Sequence, residues 1–213
     1  MYTLNFLPLT HICCGEFATA KTQADEVVAL ADKKGSLFWK AFGMMNQGYV
    51  RALTGRTSDA IDIITAGMTA WRSTGSTVFA PSFLSYLASS YADIGQFDEA
   101  LRCIDEAMAA ISTTKEKWWE AEANRVAGEI ALKSFSPETA KAETYFEHAL
   151  AIARKQQAKS LELRTAMSIA RLRRDQGKRG EARALLAPIY GCFTEGFDTL
   201  DLKEAKVLLD MLA

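Results

Sequence analysis

Residues 81–111 read PSFLSYLASSYADIGQFDEALRCIDEAMAAI, and this stretch decides the fold. Its apolar residues recur every three or four positions as far as Ile94, which predicts a helix with one apolar face. Pro81 suits the first turn of that helix, where its missing N–H costs nothing. Gly95 ends the helix, because glycine enters the left-handed conformation cheaply. The same spacing resumes from Ala100, so the stretch predicts two helices joined by a tight turn.

The turn of this hairpin recurs along the chain. A glycine followed five residues later by an alanine recurs in four copies that stand at intervals of 40, 40 and 82 residues. The double interval predicts a fifth copy without its glycine, and residues 134–137 (SFSP), followed by Ala142, stand in its place. Such a period is typical of stacked units that cannot bury their apolar faces alone. The four glycines are Gly15, Gly55, Gly95 and Gly177.

These hairpins resemble the tetratricopeptide repeat (TPR), in which small residues such as Ala88 and Ala100 let two helices approach closely. The prediction is an all-α, right-handed α-solenoid of about five TPR-like hairpins that ends in a capping helix. We expect one domain over residues 1–213, belonging to a longer protein because the first hairpin has no cap. The hairpins are expected at about 1–33, 37–72, 81–112, 117–157 and 160–190, and the capping helix at about 199–212.

Composition favours an ordinary globular protein. The net charge is −1, with 49% hydrophobic and 24% charged residues, so no global field attracts nucleic acid or a membrane. Four cysteines show no C-x-x-C spacing, and we interpret them as reduced thiols. The apolar start is interrupted by Pro8 and His11 and lacks a basic region, so it makes a poor signal peptide. We therefore expect a cytoplasmic protein without membrane contact.

The carboxy-terminal third carries a second resemblance. The stretches KSLELR (159–164) and FTEGFDTLDLKEA (193–205) are its distinctive parts, within residues 142–212. They are similar to the carboxy-terminal regions of bacterial multidomain class III adenylate or guanylate cyclases and of ATPase-type transcriptional regulators. In those proteins a TPR-like array follows the output domain and a regulatory ATPase. The resemblance implies a regulatory or sensor role in signalling and transfers no catalysis.

The chain shows no sequence motif for catalysis. The phosphate-binding pattern G-x-x-x-x-G-K-[ST] is absent, and no stretch predicts the strands of a cyclase domain. His11 lies close to Cys13 and Cys14, but no fourth ligand is evident, so we expect packing and not a metal site. We predict that the chain is not an enzyme and has no catalytic, cofactor-binding or metal-binding residues.

A partner-binding groove is predicted on the first helix of each hairpin, the helix that lines the concave surface of TPR arrays. The groove runs from apolar and aromatic residues at one end to arginines at the other. It suits an extended or helical peptide with an acidic segment. The predicted groove residues are Phe42, Met45, Tyr49, Leu53, Ser82, Ser85, Ser89, Arg125, Glu129, Arg164, Arg171 and Arg174.

We therefore expect a protein–protein interaction module that binds a protein or peptide partner, or the upstream domains of its own parent protein. Nucleic acid is not expected as a partner. Two alternatives stay open. One is a small-molecule effector domain with an aromatic pocket of Trp39, Phe42 and Tyr49. The other is a homodimerisation module that pairs through its first hairpin.

Overall fold

The computed structural model describes the backbone of residues 2–213 and the side chains of residues 4–213. This part of the chain contains eleven α-helices and no strand, so the all-α class predicted from the sequence is confirmed. It forms two compact units, Met1–Glu116 and Lys117–Ala213, which we call the amino-terminal and the carboxy-terminal unit. No helix in the described stretch combines the length and the apolar character that a membrane span requires.

The amino-terminal unit consists of three helical hairpins. In each of them the two helices pack against each other along their length, and α3 also packs on α2 and α1. The helices are α1 (Tyr2–Cys14), α2 (Phe17–Lys33), α3 (Leu37–Leu53), α4 (Thr57–Ser73), α5 (Ala80–Asp93) and α6 (Phe97–Thr114).

The carboxy-terminal unit consists of two hairpins and a final helix. The final helix packs against both members of the preceding hairpin, α9 and α10. The helices are α7 (Glu120–Lys133), α8 (Thr139–Lys155), α9 (Lys159–Asp175), α10 (Arg179–Tyr190) and α11 (Leu200–Met211).

The turns follow the glycines that set the sequence period. Gly95 has a φ of 77°, and beyond it the N–H of Gln96 donates to the carbonyl of Tyr91 at 2.9 Å, which closes the helix end. Gln157 takes the same left-handed conformation, with a φ of 56°, although it is not a glycine. Where the glycine is missing, α7 and α8 are joined by the longer loop 134–138, as the sequence indicated.

Close approach within each hairpin depends on very small residues. A Cβ atom at Gly48 would overlap Cγ1 of Ile64, and one at Gly128 would lie 2.5 Å from Cε1 of Phe146. The alanine of the repeat is fully buried on the second helix of every hairpin, so it acts as a spacer between two backbones. These alanines are Ala20, Ala60, Ala100, Ala142 and Ala182.

Candidate partner-binding surfaces

Eight aromatic side chains of the amino-terminal unit form a connected set of ring contacts, which we call the aromatic network. At its centre, Phe42 on α3 meets three other phenylalanines edge to face, at centroid distances of 5.8, 5.4 and 5.1 Å. Edge-to-face contacts place the positive edge of one ring on the negative face of another and are favourable beyond the area they bury. The network contains Phe6, Phe38, Trp39, Phe42, Tyr49, Phe79, Phe83 and Tyr86.

The aromatic network reaches the surface at its margins. Phe42 and Phe83 are buried, whereas Phe6, Trp39 and Phe79 are half-buried around them. Because a buried ring is surrounded by partly accessible ones, the network offers a partner an apolar contact area whose rings are held by one another.

Tyr49, a predicted groove residue, lies at the other margin of the network. Its ring is stacked on Tyr86 at a centroid distance of 3.5 Å with an angle of 7° between the rings. Tyr49 and Ser89 are half-buried, and Leu53 at the end of α3 is 39% exposed. These three predicted groove residues therefore remain accessible in part.

Met45 and two of the predicted serines lie in the interior. Met45 is fully buried, and its Cγ lies 2.8 Å from the position that a Cβ of Gly67 would occupy, so it packs within its own hairpin. Ser82 and Ser85 are buried, and their hydroxyls donate to the carbonyls of Phe79 at 2.8 Å and Pro81 at 2.7 Å. The expectation that Met45, Ser82 and Ser85 face an open groove does not agree with this burial, and the same holds for Phe42, which is 4% exposed.

In the carboxy-terminal unit, Arg125 is the centre of a partly buried ion network. Its guanidinium donates to Glu122 and to Glu129, each at 2.9 Å. Ser168 on α9 donates to the same Glu129 carboxylate at 2.6 Å. Arg125 and Glu129 of the predicted groove thus pair with each other and do not present free charges.

Burial and pairing act in opposite directions on the pKa values of this network. Burial raises the pKa of Glu122, but the charges of Arg125 and Arg164 outweigh it and hold that pKa below the ordinary value of 4.5. For Arg125, burial lowers the pKa, and the carboxylate of Glu122 more than compensates and raises it. Both groups are therefore charged at neutral pH.

The remaining predicted arginines are also paired, two of them with carboxylates of α11. Arg164 donates to Asp201 at 2.7 Å, and Arg171 donates to Glu204 at 2.9 Å. Arg174 lies 2.8 Å from the carboxylate of its neighbour Asp175. Spacing within α9 indicates a basic face, but it gives no sign that the final helix supplies the opposite charges.

Among the described side chains no cluster is arranged to hold a metal ion, and the thiol of Cys103 is not activated. No group of three or more His, Cys, Asp or Glu side chains in this part of the chain is arranged to hold a metal ion. Nδ1 of His11 lies 2.6 Å from a carboxylate oxygen of Glu16. Cys103 is buried, and burial raises the pKa of its thiol to about 11, so it stays protonated at neutral pH.

Comparison with known proteins supports the fold. Two solved structures of a kinesin light chain-like protein from Podosopora anserina, which has nearly identical TPR-like repeats, superpose on this chain with TM-scores of 0.60 and 0.58. Each is 18% identical and matches 89% of this chain, and the matches cover 92% and 93% of those chains. No family model and no curated protein matches this chain. The similarity confirms the predicted TPR-like solenoid fold, and at this identity it shows the fold alone.

Proposed function

We propose that this chain is a non-catalytic module that binds a protein or peptide partner through the aromatic network of its amino-terminal unit. The observation that carries the proposal is the half-buried rim of Phe6, Trp39 and Phe79 around the buried ring of Phe42. Aromatic side chains are enriched at protein interfaces, where ordered rings lose little entropy on binding. Repeat folds of this class commonly use extended surfaces to hold partners.

The surroundings of the network favour an apolar contact. Leu37 and Val78, which precede Phe38 and Phe79 in the sequence, are 48% and 49% exposed. These side chains lose unfavourable contact with water when a partner covers them. We therefore propose a partner segment with apolar anchor residues.

An acidic partner segment, as the sequence suggested, would compete with carboxylates of this chain for the same arginines. An acidic group that docks on Arg164 or Arg171 has to replace the carboxylate of Asp201 or Glu204. Exchanging one ion pair for another gains little free energy at a partly exposed site. For this reason we assign the anchor contacts to the aromatic network and not to the arginines.

The wider role that we propose is regulatory. Residues 142–212 resemble the carboxy-terminal arrays of bacterial cyclase-type and ATPase-type signalling proteins. We propose that partner binding to this module, in the cytoplasm, alters the output of domains attached to it in a protein of that kind. This step rests on analogy at the level of the fold and of the tail sequence.

Site-directed photo-crosslinking tests the binding surface. A photoreactive phenylalanine analogue replaces Trp39 in one variant and Val207 in a matched control, because Val207 is an exposed apolar residue on α11. The partner identified at position 39 is then purified and titrated against the Trp39→Ala variant. We expect Trp39→Ala to weaken binding about 30-fold or more, the effect of a typical aromatic anchor, and Val207→Ala to leave it unchanged.

Other outcomes would contradict the proposal in distinct ways. Crosslinking of position 39 to a second copy of the chain would indicate a homodimerisation module. Equal losses for Trp39→Ala and Val207→Ala would show that the aromatic network is not the contact. Cyclase and ATPase assays on the isolated chain are expected to show no turnover. Metal-dependent turnover that follows the chain through purification would overturn its non-catalytic role.

A further inference from the structure

A cleft of about 250 Å³ opens between α8, α9 and α10 of the carboxy-terminal unit. Among the described helices, α9 packs closely against both α8 and α10, whereas the backbones of α8 and α10 lie further apart. The cleft lies between α8 and α10, and side chains of α9 contribute to its floor. The proposed partner surface lies in the amino-terminal unit, so this cleft has no part in that proposal.

The floor of the cleft is apolar and its rim is charged. Phe146 and Leu150 on α8, Ile169 and Leu172 on α9, and Leu185 on α10 form the floor. All of them are buried except Leu185, which is half-buried. An apolar group of a ligand would therefore find an ordered apolar surface there, as in most small-molecule sites.

Charges of both signs line the rim without pairing. Among the described residues, neither the carboxylates of Glu147 and Glu181 nor the ammonium of Lys178 lies within ion-pair distance of an opposite charge. The guanidinium of Arg173 reaches only the main-chain oxygen of Glu181, at 3.4 Å. Glu143 accepts a single hydrogen bond, from the amide of Gln176 at 3.0 Å.

These charges are not a requirement of the repeat. The amino-terminal unit has a cleft at the equivalent place, lined by Ile61, Thr65 and Tyr91 among others. Those residues stand 82 positions before Glu143, Glu147 and Arg173. The fold therefore accepts uncharged side chains at all three positions, and the charged rim has no structural necessity.

We infer that this cleft binds a zwitterionic amino acid with a large apolar side chain. The ammonium group of such a ligand pairs with Glu147 on the α8 wall, and its carboxylate pairs with Arg173 and Lys178 across the cleft. Its side chain covers the apolar floor. A simple anion would face three carboxylates, and a simple cation would face Arg173 and Lys178. A molecule that carries both charges satisfies both walls.

Titration of the full chain with L-phenylalanine, followed by ¹H–¹⁵N NMR, tests this inference. We expect saturable shifts confined to α8, α9 and α10. Glu147→Gln and Arg173→Gln should each weaken binding about tenfold, as expected for the loss of one charge-assisted hydrogen bond. Asp62→Asn is the matched control, because Asp62 lines the equivalent cleft of the amino-terminal unit. It should leave the affinity unchanged.

Ligand analogues separate the alternatives. Phenethylamine keeps the ring and the positive charge, and 3-phenylpropionate keeps the ring and the negative charge. Both should bind at least about tenfold more weakly than phenylalanine, because each leaves one wall unpaired. Binding of either analogue as tight as that of phenylalanine would overturn the zwitterion assignment. Shifts outside the cleft, or no saturation at millimolar phenylalanine, would overturn the site itself.

Discussion

Substitution of Gly128 by alanine tests whether the hairpins depend on direct contact between a backbone and a side chain. Gly128 lies on α7, and its α-carbon faces the ring of Phe146 on α8. An added Cβ would lie 2.5, 2.7 and 3.0 Å from Cε1, Cδ1 and Cζ of that ring. Because Phe146 is buried with only 1% of its surface exposed, moving the ring away from the new Cβ would disturb its packing.

The expected cost follows from two opposing terms. Overpacking of a well-packed core costs about 1–3 kcal/mol, while glycine to alanine in a helix interior returns up to about 1 kcal/mol. We expect a net loss of about 1–2 kcal/mol in the free energy of unfolding. For a chain of this length that loss lowers Tm by about 2–8 °C. Thermal unfolding followed by circular dichroism measures it.

Two further variants test whether a change in Tm comes from the contact between the new Cβ and Phe146. Gly180→Ala is the matched control, because Gly180 lies on α10 and no atom would approach its Cβ within 4 Å. That substitution should leave Tm unchanged or raise it. Phe146→Leu removes the ring atoms that the new Cβ would meet. Gly128→Ala should therefore cost little or nothing when it is introduced into the Phe146→Leu background.

Equal Tm values for Gly128→Ala and Gly180→Ala would show that the contact at 2.5 Å has no energetic consequence. An equal cost of Gly128→Ala in both backgrounds would show that the ring of Phe146 is not what the new Cβ meets. If Gly128→Ala alone does not fold, recovery of folding in the double variant carries the same information.

Two further predictions concern ionisable groups. The pKa of Glu122 is lower in the folded state than its ordinary value of 4.5, so its contribution to stability is complete above that value and is lost as the pH falls below it. Glu122→Gln should flatten the decline of Tm in acid, measured at several pH values; a decline as steep as that of the unmodified chain would contradict this role. The thiol of Cys103, whose pKa burial raises to about 11, should react with iodoacetamide only after unfolding, whereas exposed Cys192 should react in the native protein. Mass spectrometry after a short labelling pulse distinguishes the two, and equal native labelling would contradict the burial of Cys103.

The hairpin pattern was readable in the sequence because its determinants are local. Gly95 ends a helix through its own backbone conformation, and Ala100 is small enough to allow close packing within one hairpin. The loop at 134–138 replaces a glycine turn at the position that the period indicated. Helix boundaries follow from such signals, since they do not depend on distant parts of the chain.

The sequence allowed only a partial prediction of the candidate surface. The helical positions carried over from TPR arrays include Phe42 and Tyr49 of the aromatic network, but Met45 points into its own hairpin and packs against Gly67. The rotation of α3 about its axis decides which side chains face outward. That rotation is set by packing against α2 and α4. The spacing of residues within α3 carries no information about this packing.

By itself, the sequence determined the all-α class, the turns and the order of the hairpins, because these depend on backbone conformation and side-chain size at neighbouring positions. Only the tertiary structure decided which carboxylates pair with the arginines of α9 and which rings belong to the aromatic network. Asp201 reaches Arg164 across 37 residues of sequence, and Phe6 on α1 reaches Phe79 just before α5. Ion pairs and ring contacts act through space, so they exist only once separate helices have packed together.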